Sequence, residues 1–325
     1  MISIWLWPLS LVYALVVLIT RHLYVWGILP SFRSPKPVIS VGNITVGGVG
    51  KTPLVIWLAR QMLARGLKPA ILIRGYKAHA GLSDEAQMLK EALPQVPVLV
   101  GRDRKKSIEA ALANSPVDVF ICDDAFQHWP LQRDMDIVAI DAQNPFGNGC
   151  LLPAGHLREP LGALKRAQVF LLTKTDLTKA PTTLLSKLKT LNTRALIVQS
   201  RHAFVGFKDT FTGTPAGKFD KAIGFCAIGD PASFTATIAA QGIGLVKNFV
   251  YADHHHYSDA EIKSMVASAK GQGIHVLVTT HKDAVKLQSF KNLFNGVRVV
   301  YADIQLEITQ GSDEFIQHIS SRCRR

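Results

Sequence analysis

Gly47-Gly48-Val49-Gly50-Lys51-Thr52 is the stretch whose residue types and spacing speak most directly of chemistry. Closely spaced glycines let backbone N–H groups close on phosphate oxygens. An ammonium beside them reaches the β- and γ-phosphates of a nucleotide, and a neighbouring hydroxyl binds Mg²⁺. Lys51 and Thr52 supply those two groups, and Thr45 and Val46 lead into the loop. Thr45 is also a departure, because the usual pattern begins with glycine there. A second feature is the adjacent pair Asp123 and Asp124, which ends the apolar run Val117–Cys122. An acid at the end of a buried strand holds Mg²⁺ in phosphate-loop enzymes. A second adjacent acid is not needed for that alone, which leaves room for a catalytic duty in the pair.

Other candidates carry less on their own. Asp103 lies in Gly101-Arg-Asp-Arg104 and reads as a surface turn. His254, His255 and His256 are consecutive, and consecutive side chains diverge, so one of them serving catalysis is a better reading than a zinc site. Thr173-Lys-Thr-Asp176 follows an apolar run and resembles the guanine-reading motif of GTPases. The four cysteines (Cys122, Cys150, Cys226, Cys323) have no CxxC spacing, which points to free thiols in a reducing compartment.

These groups need elements to hold them. Val38–Val41 reads as a strand ahead of the glycine loop. A helix follows it, with Pro53 in its first turn, Leu54, Trp57, Leu58 and Met62 at helical spacing, and Gly66 as its stop. Pro69–Ile73, Val117–Cys122, Ile137–Ile140 and Val169–Leu172 are further apolar runs separated by helical stretches. That alternation predicts an α/β fold of the phosphate-loop NTPase kind, a parallel sheet with helices on both faces. Past residue 200 the pattern weakens. Ala222–Ile228, Val246–Val250, His275–Thr279 and Val297–Tyr301 read as strands, and Ser258-Asp-Ala-Glu261 as a capping box. The expected organisation is an apolar N-terminal helix over 1–29, a phosphate-loop kinase domain over 30–210, and a smaller C-terminal α/β domain over 211–325.

The 325 residues are 48% hydrophobic and 19% charged, which excludes a disordered chain. Met1–Thr20 has no charged side chain, and as a helix it would reach about 30 Å, the thickness of the hydrocarbon core. Trp5, Trp7, Tyr24 and Trp26 bracket it as interfacial aromatics do. Arg21, Arg33 and Lys36 follow it and place the rest of the chain on the cytoplasmic side. The net charge is +13, and no Asp or Glu occurs before Asp84. A cationic first quarter suits anionic lipid or a phosphorylated substrate.

Taken in order, several stretches resemble the tetraacyldisaccharide 4'-kinase family, the lipid A 4'-kinases of Gram-negative bacteria. They are Val41–Thr52, Arg74-Gly-Tyr76, Asp123–His128, Arg133–Val138, Phe146-Gly-Asn148, Leu152–Gly155 with Leu157–Pro160, Asp253-His254 and Lys282–Lys286. Ala125 departs from a common glycine, and the tract after Tyr76 lacks the usual glycines. The resemblance implies transfer of the ATP γ-phosphate, with Mg²⁺, to the 4'-hydroxyl of a tetraacyl-disaccharide 1-phosphate. It implies work on anionic lipid at the cytoplasmic face of the inner membrane, with no nucleic acid and no obligatory protein partner. It carries phosphate and metal roles onto Lys51 and Thr52. Asp103 becomes the base with His254 orienting it. Asp123, Asp124 and Glu159 stand around the metal, and Arg74, Tyr76, Gln127, His128 and Arg158 line the site.

The main alternative is a membrane-associated partition or positioning ATPase. That class has a lysine immediately before the paired glycines, where this chain has Val46. A GTPase using Thr173–Asp176 and a nonenzymatic basic membrane module are weaker alternatives, and the intact Lys51-Thr52 argues against the latter.

Overall fold

A computed structural model describes residues 4–75, 84–178 and 181–323. A short 3-10 turn leads into α1 (Trp7–Val25), followed by β1 (Val38–Asn43), α2 (Lys51–Leu63), β2 (Pro69–Ile73), α3 (Asp84–Ala92) and β3 (Val98–Val100). Next come α4 (Arg104–Asn114), β4 (Val119–Asp123), β5 (Met135–Asp141), β6 (Val169–Thr173), α5 (Pro181–Leu191) and β7 (Leu196–Asp209). The remainder is β8 (Lys221–Cys226), α6 (Pro231–Ala240), β9 (Gly244–Val250), α7 (Asp259–Gly271), β10 (Val276–Thr280), α8 (His281–Ala284), β11 (Arg298–Gln310) and α9 (Ser312–Cys323).

Two compact units divide the chain. The first is Met1–Tyr76, Ala92–His202 and Leu306–Arg325, and the second is Lys77–Glu91 with Ala203–Gln305. Besides the short excursion at Lys77–Glu91, the chain passes from the first to the second within β7 and returns within β11.

In the first unit the strand order is β3-β2-β4-β1-β5-β6-β7, and each neighbouring pair is parallel. The central strands β1, β2, β4 and β6 are buried at every position, which is why they read as unbroken apolar runs rather than alternating ones. The alternation of strand and helix is therefore the α/β architecture that the sequence predicts. β1 and β4 pair with Val41 opposite Asp123, so the carboxylates at the end of β4 stand level with the start of the glycine loop. Gly42 lets the chain after Asp124 cross close by, since a Cβ there would lie 2.4 Å from Phe126 Cβ. The C-terminal helix α9 returns to this unit, where Phe315 stacks on Trp57 of α2 with ring centroids 5.3 Å apart.

In the second unit β11, β10, β8 and β9 lie in that order, all parallel. Its core gathers Phe225, Tyr257, Ile262, Met265, Leu277 and Val299. The capping box at Ser258 and Glu261 is formed on both sides. Two strands were not legible in the sequence. β3 has only three residues, and in β7 the apolar positions are interrupted by Arg201, His202 and Lys208.

Among the described residues one helix, α1, is long and apolar enough to cross a membrane. Most of its surface is open, including Leu11, Val12, Leu15, Val16 and Ile19, and Trp5 before it is 92% exposed.

Candidate active site

α2 starts directly on Lys51, and its N-cap Gly50 takes a left-handed φ of 84° that side chains rarely adopt. That turn aims the first backbone N–H groups of α2 and the helix field at whatever the loop encloses. Val46, Gly47 and Gly48 are exposed, whereas Val49 is tucked in. Thr173 Oγ1 donates to the Val49 carbonyl at 3.1 Å, and Lys174 is buried against Asp141 at 2.8 Å. The Thr173–Asp176 turn thus braces the phosphate loop from behind.

Lys51 Nζ donates to Asn43 Oδ1 at 3.1 Å and lies 3.5 Å from Asp124 Oδ1. Arg158 closes on both Asp124 oxygens at 2.9 Å each. Burial pushes the Asp124 carboxyl up, but Lys51 and Arg158 outweigh it and hold the group below the usual carboxylate range. Asp124 also takes a φ of 51°, uncommon for a residue with a side chain and affordable only where the surroundings fix it. Asp123 is buried beside it. Burial pushes the preceding Cys122 thiol up to about 12, so it stays protonated and inert.

Glu159 is 1% exposed. Arg166 grips it through both oxygens, at 2.5 and 2.9 Å, and lies 3.6 Å over the Phe126 ring. Gln127 Nε2 donates to the Asn43 carbonyl at 3.0 Å, which ties the segment after the acidic pair to the loop. Asp103 caps α4, accepting from Lys106 N at 3.1 Å. It lines an open cleft of about 320 Å³ with Arg102, Arg104, Lys105 and His128. Burial first, then Arg104, Arg133 and Arg74, pull the His128 imidazole down to about 4, so it is neutral near pH 7. Arg74 is exposed just after β2, and Tyr76 lies outside the described residues.

His254 belongs to the second unit and sits at a φ of 63°. Lys282 Nζ approaches its Nε2 at 3.2 Å, and Asp84 Oδ2 lies 3.4 Å from its Nδ1. Because an ammonium only donates, Nε2 accepts and Nδ1 carries the hydrogen toward Asp84. Burial raises the Asp84 carboxyl, but His254 and Lys286 more than offset it and leave the group lowered. His255 turns elsewhere, to Glu261 at 3.0 Å and onto the Tyr251 ring.

Asn43 and Asp84 were not singled out by sequence reasoning. Asn43 ends the strand just before the glycine loop, a position that hints at its role. Nothing local marks Asp84.

The donor set fits Mg²⁺. That ion takes one or two carboxylates, keeps waters and uses substrate phosphates for the rest. Thr52 on α2 and the Asp123-Asp124 pair at the end of β4 supply such oxygens. Among the described residues no cluster of three His, Cys, Asp or Glu side chains stands ready to chelate a metal by itself.

The family model for tetraacyldisaccharide-1-P 4'-kinase, LpxK, matches residues 2–324. The chain belongs to that family. A tetraacyldisaccharide 4'-kinase of Anaeromyxobacter sp. (strain Fw109-5) is 35% identical, over 93% of this chain and 87% of its own length. The corresponding protein of Chlorobium luteolum is 33% identical over 99% of this chain and 98% of its own. The crystal structure of LpxK from Aquifex aeolicus, described as a complex with ATP, superposes with a TM-score of 0.79 at 28% identity, covering 98% of both chains. The phosphate loop, its acidic partner strand and the apolar N-terminal helix therefore belong to a lipid kinase of the lipid A route.

Proposed function

We propose that this chain transfers the γ-phosphate of ATP to the 4'-hydroxyl of a tetraacyl-disaccharide 1-phosphate at the cytoplasmic face of the inner membrane. The observation that carries the chemistry is the Lys51–Asp124–Arg158 arrangement at the N-terminus of α2. Phosphoryl transfer needs positioning and charge neutralisation more than covalent help. Lys51 and the loop N–H groups hold the β- and γ-phosphates. Thr52, Asp123 and Asp124 would hold Mg²⁺, which when bound neutralises charge on the phosphate oxygens. In this reading Glu159 belongs to the surroundings of the metal, where Arg166 now steadies its carboxylate.

Asp103 takes the proton of the attacking hydroxyl, because a sugar hydroxyl is a poor nucleophile until a base accepts its hydrogen. The family resemblance gives His254 the part of orienting that base; within the second unit its ring is held by Lys282 and Asp84. The cationic cleft of Arg102, Arg104 and Lys105 with His128 receives the anionic headgroup; the resemblance assigns Arg74, Tyr76, Gln127 and Arg158 to the same task. The open apolar face of α1 keeps the enzyme at the bilayer, so the acyl chains need not leave it.

Nucleotide turnover by the purified protein, with and without the disaccharide lipid, tests the reading. The expected result is ATP consumption that depends on the lipid. Equal turnover without lipid, or preference for GTP, would contradict it.

A further inference from the structure

The segment from Cys150 to Arg158 touches two parts of the first unit that are far from it in sequence. On one side it pairs with the phosphate loop. Thr45 and Leu157 form an antiparallel bridge, Val46 N donates to the His156 carbonyl at 2.8 Å, and Arg158 N donates to the Ile44 carbonyl at 2.8 Å. On the other side it seats α1. Ser10 Oγ donates to the Leu151 carbonyl at 3.0 Å and accepts from Ala154 N at 3.0 Å. The Tyr13 hydroxyl donates to the Arg158 carbonyl at 2.9 Å.

Ser10 and Tyr13 lie three residues apart and so share one helix face. Leu6, Val17, Arg21 and Tyr24 follow the same spacing and are also partly covered, while the residues between them are mostly exposed. A hydroxyl on an otherwise apolar helix is costly unless it is hydrogen-bonded. Both hydroxyls bond the same short segment.

Arg158 is therefore held at three points. Tyr13 fixes its carbonyl, Ile44 fixes its N–H, and its guanidinium closes on both oxygens of Asp124. Asp124 in turn lies against Lys51. We propose that Tyr13 is a positioning residue for phosphoryl transfer: from the membrane-side helix it sets Arg158, and through Arg158 the Asp124–Lys51 pair, with Ser10 seating the helix on the same segment. This rests on the reading of Lys51, Asp124 and Arg158 as transfer machinery. The lipid-facing helix and the phosphate loop are then one mechanical unit.

Tyr13→Phe keeps the ring and removes only the hydroxyl. Single-turnover transfer to the lipid acceptor, which resolves slow rates, is measured in the wild type and in Arg158→Lys, whose ammonium cannot close on two oxygens. Expected is a rate about 5-fold lower for Tyr13→Phe, as one lost hydrogen bond allows. Vesicle flotation and Tm should not change. In the Arg158→Lys background the same substitution should cost nothing further. An equal loss in both backgrounds, or a wild-type rate for Tyr13→Phe, would overturn the inference while leaving the site reading intact. A wild-type rate for Arg158→Lys would instead contradict the role given to Arg158 and take the inference with it.

Discussion

Replacing Lys51 by alanine removes the ammonium that faces Asn43 and Asp124 at the start of α2. Transfer should fall by roughly 10²-fold or more, as for other electrostatic stabilisers of a developing charge. The fold should persist, because Lys51 caps no core cluster, and circular dichroism checks that. His128 gives a second test at this scale. Its folded pKa of about 4 lies below the roughly 6.5 of an unfolded imidazole. Between those values the unfolded chain binds more protons, so stability present above pH 6.5 is progressively lost as pH falls toward 4. The His128 ring resonances should titrate near pH 4 rather than near 6.5. Lys51, Thr52 and the Asp123-Asp124 pair were legible in the sequence because glycines, a lysine and a run-ending acid pair announce themselves locally. Arg166 on Glu159 and Asn43 under Lys51 were not, since the partners are seven and eight residues apart across irregular segments whose path no local signal fixes.

β1, β2, β4, β5 and β6 could be read from the sequence because burial on both faces writes a continuous apolar run. β7 could not, because its burial is only partial and its charged positions break the run. Register was equally hidden: nothing in the sequence says that Val41 pairs with Asp123, yet that pairing brings the acids to the loop. The capping box shows how far local signals reach. Ser258 Oγ accepts from Glu261 N at 3.3 Å, and Glu261 Oε2 accepts from Ser258 N at 2.8 Å. Ser258→Ala should lower stability by about 1 kcal/mol, read from the midpoint of a urea titration. The helix α1 was legible by composition, but its attachment through Ser10 and Tyr13 was not, since the two hydroxyls look incidental in an apolar run.

At the scale of the molecule, the net charge of +13 and the acid-free stretch before Asp84 accompany a helix whose apolar side chains stand open. Binding should therefore have two parts. Removing residues 1–25 should abolish flotation with neutral vesicles. Raising salt should release the intact protein more readily from anionic vesicles than from neutral ones, because exposed charges are screened over about 8–10 Å at physiological ionic strength. An equal salt response on both vesicle types would count against a cationic membrane contact. Domain-scale features were the least legible, since the chain leaves and re-enters the first unit inside the long strands β7 and β11. In the proposed reaction the phosphate loop serves a lipid sugar hydroxyl. The most direct test incubates the purified protein with γ-labelled ATP, Mg²⁺ and detergent-dispersed tetraacyl-disaccharide 1-phosphate, and follows label into the lipid. Label should appear at the 4' position with the wild type and almost none with Lys51→Ala. Label released only as inorganic phosphate, or lipid labelled equally by Lys51→Ala, would contradict it.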